Sequence, residues 1–402
     1  MRVLAAIVGT PLRKVSGATN AGRQLSEATA ELIDLELAIM WDEDRVERAG
    51  GMTTHYVRST DLLGPLGKRL PRSIRTPLFQ SGIPGLVARG GYDLVHIHNL
   101  IPTFAALRIA RAARRAGIPY VITTHGFVEI VQYARINGFG AVKSALIDMV
   151  LTRPFRRIVA GATRIFMLSD REAPLLEALG VAEQRREVVT NGVGEYHLDA
   201  PTAAELDAAR SRWLLADRGP VLLFMGSLHA YKGVGTFLAA LGAIDRPVTA
   251  VVAGRFNDPD QPRRLLDEAG VPAHLRESVV FTGGVTDAEL RALHHLADLF
   301  VYPTAGDTLP LVVLEAMASG TPVVSTEVGG IPFEVTPDVG VLVQPGDPAG
   351  VARAVSSLLA DPDALQRMGT AARRRVEQVF RWSLAAQAAV VGYERALADP
   401  KR

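Results

Sequence analysis

The sequence predicts an α/β protein of two Rossmann-like domains, and three stretches carry that prediction. Val3–Val8 and Val221–Gly226 are short apolar runs, each giving way to a polar, glycine-containing loop and then to a helical pattern. The third is Leu299-Phe-Val-Tyr302, followed by a loop over 303–309, helix signals over 310–320 and the apolar pair Val323-Val324. Unbroken apolar runs of this length suit strands buried on both faces of a parallel sheet. No sequence repeat links the two openings; only the architecture recurs. A chain of 402 residues with 48% hydrophobic content bounds the answer at about two or three domains with sizeable cores.

In chain order, the strand Val3–Val8 leads through the loop Gly9–Thr19 into a helix over 21–33, with Leu25, Ala28 and Leu32 on one face. Residues 60–90 are rich in Gly, Pro and Arg, including Lys68-Arg69-Leu-Pro-Arg72-Ser-Ile-Arg75, and read as irregular structure with short helices. Tyr92–Asn99 and Pro119–Thr124 read as successive central strands ending in polar residues, with a helix over 105–116 between them. His96 and His98 point the same way on their strand, but no acidic or histidine partner follows at ligand spacing, so they read as structural or cleft residues rather than a metal pair. Val128–Ala162 has helical periodicity interrupted by Arg153-Pro-Phe-Arg-Arg157, and Ile165–Ser169 is a further strand with a helix to about 179.

A first domain is assigned to residues 1–195 and a second to 196–379, with 380–402 as a closing segment. The second opens with an Ala-rich helical stretch to Arg218, then the strand Val221–Gly226 and a helix from about 233. Strands follow at 248–253 and 278–282. In the unit around 299–325, Pro310 stands where a first helical residue tolerates a missing N–H, Gly320 where a helix ends, and Pro322 where it cannot continue. Helices over 347–360 and 363–379 and a last helix to 398 complete the chain.

Strand-loop-helix units place ligands outside the carboxyl ends of the strands, where the free amides at the helix start attract a phosphate. Two carboxylates flank that point, Asp307 before the helix and Glu315 inside it. Glu315 lies five residues beyond Pro310, or roughly 7.5 Å along the axis. That distance suits the ribose of a nucleotide whose phosphate sits at the helix start.

The pattern acid-x7-Glu, followed by Ala-Met-Ala-Ser-Gly-Thr-Pro-Val-Val and Gly329-Gly330, resembles the donor-site motif of the retaining GT-B glycosyltransferases of family 4. The resemblance covers nearly the whole chain; it is strongest over 226–335 and thin over 40–90. It implies two Rossmann-like domains facing a central cleft. It also implies transfer of a sugar from a nucleotide-diphosphate donor, a UDP- or GDP-sugar, with retention at the anomeric carbon. By resemblance, Gly17 matches the second of two N-terminal glycines that let backbone approach the donor diphosphate, with Ser16 replacing the first. His125 in His125-Gly126-Phe127 would face the donor sugar. Lys232-Gly233 matches a Lys-Gly pair that holds the diphosphate, whereas Ser227 stands where an arginine is usual. The turn at Gly283 and Val285 would meet the base.

Asp307, with Thr308 and Leu309 beside it, would bind the sugar hydroxyls. It is one methylene shorter than the usual glutamate, but Pro310 replaces the usual glycine and sets a different loop path. Leu311 and Val312 would offer amides to the phosphate and Glu315 would hold the ribose. Phe380–Ser383 and the last helix resemble the segment that returns to the first domain. Asp307, His125 and Lys232 are the catalytic candidates. The implied mechanism uses no metal and no cofactor beyond the nucleotide-sugar co-substrate.

Composition narrows the rest. Zero Cys excludes a disulfide framework and a thiolate nucleophile. Arg2–Gly9 is too short for a signal sequence and no 18 apolar residues run uninterrupted, so the reading is a soluble, cytoplasmic chain. The net charge is +2, but residues 1–190 hold 25 Lys+Arg against 17 Asp+Glu and residues 191–402 hold 19 against 25. Solvated helix faces produce such asymmetry, as does a face for an acidic acceptor or the inner face of an anionic membrane. The expected partners are the nucleotide-sugar donor and an unidentified acceptor, with no nucleic acid. Neither domain has the G-x-G-x-x-G of a nicotinamide-dependent oxidoreductase. A GT-B sugar-nucleotide epimerase shares the architecture but not this donor helix. The open alternative is a protein that binds a sugar nucleotide without catalysis, motivated by Ser227 and Asp307.

Overall fold

A computed structural model describes residues 1–10, 17–64, 75–123, 125–126, 148–215 and 219–399. The chain divides into two compact units, Met1–Asn191 with Trp382–Arg402, and Gly192–Arg381. The first unit therefore takes back the C-terminal segment, and the junctions lie a few residues from those assigned to the sequence.

Among the described residues, the first unit is built on nine strands: β1 (Arg2–Ile7), β2 (Asp34–Trp41), β3 (Arg45–Ala49), β4 (Met52–Asp61), β5 (Phe79–Ser81), β6 (Leu94–His98), β7 (Tyr120–Thr123), β8 (Arg164–Met167) and β9 (Arg186–Val188). Their order is β3-β4-β2-β1-β6-β7-β8-β9, with β5 on β4. All neighbours are parallel except β3 and β5, which run antiparallel to β4. The register pairs Ile7 with His98 and His98 with Thr123, which aligns the carboxyl ends of the three central strands. β1 is buried from Val3 onward, as a strand covered on both faces must be.

Three expectations for this unit are corrected. The first helix, α1 (Gly17–Ala30), stops before residue 33 and buries Ala21, Gly22, Leu25, Ser26 and Thr29, while Leu32 is half exposed. The Leu32 and Ile33 amides both turn back to the Thr29 carbonyl, because the chain must reverse within three residues to enter β2. Arg153–Arg157 does not interrupt a helix: a π-helical turn over Asp148–Thr152 passes directly into an α-helix over Arg153–Gly161, with Pro154 in the first turn of that helix and Phe155 fully buried. In the stretch before 90 the expected short helices are present, at Thr76–Leu78 and Ile83–Arg89, but it is less irregular than expected, since β4 runs to Asp61, pairs with β5 and is tied down by a 2.5 Å ion pair from Arg75. The basic run 68–74 and the segment 128–147 lie outside the described residues.

The second unit has, among the described residues, six parallel strands: β10 (Val221–Met225), β11 (Thr249–Ala253), β12 (Val279–Gly283), β13 (Leu299–Tyr302), β14 (Val323–Thr326) and β15 (Gly340–Val343). The order is β12-β11-β10-β13-β14-β15, so the chain steps outward from β10 in one direction and then returns to its other side. That reversal between β10 and β13 is where an open α/β sheet parts its loops. Phe224, Phe237, Phe300 and Tyr302 fill the core there, with Phe224 and Phe237 stacked at 5.9 Å. Each such ring removed from water contributes about 1.5–3 kcal/mol. Helices α2 (Asp287–Leu296), α3 (Leu311–Ala318) and α4 (Pro362–Val379) cover the sheet.

The C-terminal helix α5 (Trp382–Ala398) packs on α1 and β8 within the first unit. Gly392 makes this approach possible, since a Cβ there would come within 2.6 Å of the Phe166 ring. Among the described residues no helix is long and apolar enough to cross a membrane.

Candidate donor site

The head of α3 is organised by three loops that lock onto each other. The loop after β13 turns on Thr304, whose hydroxyl has the Tyr231 and Gly306 carbonyls as alternative acceptors for its one proton and accepts from the Gly306 amide, while the Ala305 amide donates to the Tyr231 carbonyl at 2.8 Å. Gly233 has φ of +86°, and a Cβ there would lie 2.0 Å from the Pro303 carbonyl oxygen, so only glycine lets the β10 loop come this close. On the other side the Gly330 amide donates to the Thr308 carbonyl at 2.6 Å. A Cβ on Gly329 would strike the Asp307 carbonyl at 1.8 Å. The glycine pair after β14 thus supports the backbone of the acid-bearing loop.

In that frame Asp307 and Lys232, 75 residues apart in sequence, form an ion pair with Nζ 2.5 Å from Oδ2. The Tyr302 hydroxyl donates to the same oxygen at 2.9 Å, and the Thr308 amide donates to Oδ1 at 3.1 Å. Both partners are about one-fifth exposed (18% and 20%), so the pair is reachable from solvent but shielded from full screening. Burial and the adjacent Asp307 carboxylate push the Tyr302 hydroxyl far above the usual phenol range, which keeps it a proton donor. Sequence reasoning missed Tyr302. The available signal was a polar-ended aromatic closing an otherwise apolar strand.

Pro310 corrects one detail. It is the residue before the helix, with extended φ and ψ of −72° and 120°, and α3 begins at Leu311. The ring fixes a φ that suits both positions, so sequence alone does not separate them. Leu311 and Val312 remain the first two helical residues, whose amides have no carbonyl one turn back. Glu315, one turn in, is partly buried and its carboxyl has no hydrogen-bond partner among the described residues. Burial, with Asp287 at the start of α2 adding to it, pushes that carboxyl up to about 7.

Glu334, also missed, lies in the short helix after Gly329-Gly330 with no exposure and both carboxyl oxygens unpartnered. Burial and Asp307 hold it well above the ordinary carboxylate range. Ser227 is exposed in the loop after β10, and His229 in the same loop stacks on Tyr231 at 5.9 Å. Gly283 ends β12 with φ of +70°, and Val285 is partly buried. Thus Lys232, Asp307 and Thr308 meet at the head of α3, with Leu309, Leu311 and Val312 continuing the same segment.

Gly17 and His125 belong to the first unit. Gly17 is the exposed first residue of α1, with open space where a Cβ would stand, and Ser16 lies outside the described residues. His125 follows β7 with φ of +27°, and its Nε2 is buried without a partner among the described residues. Burial lowers it to about 4. The His125 ring is 5.8 Å from that of His98, which is fully buried and unpartnered at both nitrogens. His96, by contrast, is held at both nitrogens, by the Tyr393 hydroxyl at 2.8 Å and the Thr123 hydroxyl at 2.6 Å, and is structural. Among the described residues no three His, Asp or Glu side chains are grouped as a metal site requires.

Known proteins resemble this chain in both units. The profile of the family described as Glycosyltransferase Family 4 matches residues 15–194, and that described as Glycosyl transferases group 1 matches residues 219–361. Glycogen synthase of Mycobacterium tuberculosis is 32% identical over 310 residues, spanning 75% of this chain and 68% of that one. The 2-deoxystreptamine glucosyltransferase of Streptomyces kanamyceticus is 32% identical over 314 residues, 76% of this chain and 78% of its own. Among solved structures, the Anabaena protein HepE in complex with UDP and glucose superimposes with a TM-score of 0.73 at 18% identity, over 98% of this chain and 100% of that one.

Proposed function

The chain belongs to the group 1 glycosyltransferases of family 4, with the GT-B fold, and on that footing we propose that it moves a sugar from a nucleotide-diphosphate donor to a hydroxyl acceptor with retention. The observation that carries this reading is the Lys232–Asp307–Tyr302 cluster at the start of α3, one turn before the unpartnered carboxyl of Glu315. A cation and open helix amides suit a diphosphate, and carboxylates on either side suit the hydroxyls of a sugar and a ribose. The relative of known fold holds UDP and glucose, which fits a donor of that class.

In this reading Lys232 leaves Asp307 for the donor diphosphate and Asp307 turns to the sugar hydroxyls. The bond from C1 to the β-phosphate oxygen breaks as the acceptor oxygen bonds C1 from the same face. The acceptor proton passes to the departing phosphate, whose charge is met by Lys232 and the amides of Leu311 and Val312. No side chain is a covalent nucleophile. In the first unit, Gly17 and His125 are the residues to which the family resemblance assigns the diphosphate and the sugar. The nucleotide sugar is the co-substrate and the helix amides with Lys232 take the charge-balancing role of a divalent ion.

A thermal-shift screen of nucleotide sugars identifies the donor, since ligand at 100 times its Kd stabilises by about 2.7 kcal/mol. Transfer of the labelled sugar, followed by NMR of the product anomer in excess EDTA, then tests the reaction. Retained configuration with undiminished rate is expected. An inverted product overturns retention, and activity restored only by Mg²⁺ or Mn²⁺ overturns the metal-free mechanism. A chain that binds a donor yet transfers it to no acceptor, and does not hydrolyse it, is a binding protein.

A further inference from the structure

We infer that Phe256 is the stacking platform for the donor's nucleobase, an assignment that rests on the donor-site reading and names the group that holds the base. Phe256 lies in the loop after β11 and is 37% exposed, although the loop that bears it is pinned on both sides. On one side the Gly254 amide donates to the Gly283 carbonyl at 3.1 Å, and a Cβ on Gly254 would lie 2.2 Å from the Gly226 carbonyl oxygen. On the other, the Asn257 amide donates to the Gln261 side chain at 2.7 Å, and the Gln261 amide donates to the Leu228 carbonyl at 3.3 Å. Gln261 is itself buried and ties this loop to the loop after β10. An exposed aromatic held in place offers its ring without an ordering cost at the moment of binding.

The ring's neighbours locate it. It meets Phe281 edge-on at a centroid distance of 6.3 Å, and its Cε2 lies 3.6 Å from where a Cβ on Gly283 would be. The neighbouring Arg255 runs its stem over Gly284, where a Cβ would come within 3.0 Å of Cγ. Two glycines in a row thus leave a shallow floor at the end of β12, walled by Phe256 and the Arg255 stem. Asp287 begins α2 two residues beyond Val285, and α2 packs on α3, the helix that bears Glu315. The turn therefore leads into the helix beside the one that carries the ribose carboxyl of the donor-site reading. A base extending from that ribose away from the diphosphate reaches the floor, and a flat π-face beside it is what a base of either class stacks on.

The test is binding by calorimetry of UDP, GDP, ADP and inorganic pyrophosphate to the wild type, Phe256→Ala and Phe256→Trp. For the nucleoside diphosphate that the wild type binds tightest, Phe256→Ala should weaken affinity roughly 5- to 150-fold, the loss of one base–aromatic stack. Pyrophosphate affinity and the unliganded Tm should move little, and Phe256→Trp should keep nucleotide affinity. Unchanged nucleotide affinity in Phe256→Ala overturns the proposal and leaves the donor-site reading standing, as does an equal loss for pyrophosphate, which marks a general distortion of the loop. A wild type that binds none of the nucleoside diphosphates overturns the donor-site reading itself, before any variant is made.

Discussion

At the carboxyl ends of β10 and β13, the charged groups are paired: Lys232, Asp307 and Tyr302 share one carboxylate oxygen, and the loops around them are fixed by backbone hydrogen bonds. At the ends of β6 and β7 two histidines are unpaired: His98 and His125 are neighbouring rings, with three buried ring nitrogens between them that have no partner among the described residues. The difference follows from charge. A lysine ammonium and a carboxylate are costly to leave partly buried alone, so the fold brings them together. An imidazole avoids that cost by staying neutral, which is the direction in which burial drives both histidines. On the reading proposed above, a ligand at the first region must open an ion pair, whereas a ligand at the second meets neutral rings and breaks no bond.

The strongest way to break the comparison is to remove the cation. Lys232→Ala deletes an interaction that strengthens as charge develops on the leaving diphosphate, so kcat should fall 10²- to 10³-fold, about 2.7–4 kcal/mol, with donor KM changing much less. Steady-state kinetics with the identified donor measures both. Turnover and binding that both survive would make Lys232 a surface lysine paired with Asp307 for stability alone.

Asp307→Asn is the next largest. It keeps an oxygen for the Thr308 amide but removes the charge that draws in Lys232 and bonds the sugar hydroxyls. The expected loss is about 1.5–3 kcal/mol of charge-assisted bonding, roughly 10- to 150-fold in kcat/KM. An unchanged kcat/KM would argue that the carboxylate serves only its lysine.

These two positions show what sequence could and could not supply. The strand-loop-helix units are legible because apolar runs, Gly320, Pro322 and the acid spacing are local signals that agree. The pairing of Lys232 with Asp307 is not, because it depends on two loop paths set by Gly233, Thr304 and Gly330 rather than on any spacing. The hairpin of β3 on β4 escaped for a different reason: Arg45–Ala49 is exposed throughout and carries one large apolar side chain, Val46, so no alternation marks it as a strand. Glu334 gave no signal, because a lone glutamate after Gly-Gly-Ile-Pro-Phe reads as solvated and only the packed structure buries it.

The two regions should also differ in the sign of their pH dependence. Glu315 is raised from 4.5 to about 7, so between those values the folded chain holds a proton that the unfolded chain has released. Its contribution to stability is full below 4.5 and is lost as the pH rises through 7. Glu315→Gln has no such loss, and should gain about 1–3 kcal/mol on the wild type between pH 4.5 and 8 in urea unfolding. His125 is lowered from 6.5 to about 4, so its contribution is full above 6.5 and is lost as the pH falls through 4. His125→Asn should therefore gain on the wild type in acid, not in base. Parallel curves for wild type and Glu315→Gln would mean that its carboxyl is solvated in the folded chain.

The smallest effect belongs to Ser227, and it tests whether readiness on the donor side depends on the ion pair alone. Serine stands where the family resemblance places an arginine, and here the side chain is exposed with no hydrogen bond among the described residues. If it reaches the diphosphate at all, it does so through one neutral hydroxyl, whose net contribution is about 0.5–1.5 kcal/mol. Ser227→Ala should then raise donor KM roughly 2- to 10-fold and leave kcat near its wild-type value, since a neutral donor gains little as the leaving group charges. Ser227→Arg sharpens the point, because a second cation beside Lys232 should recover part of the kcat lost in Lys232→Ala when the two changes are combined. No recovery in the double variant, with Ser227→Ala silent in both constants, would put residue 227 outside the reach of the diphosphate.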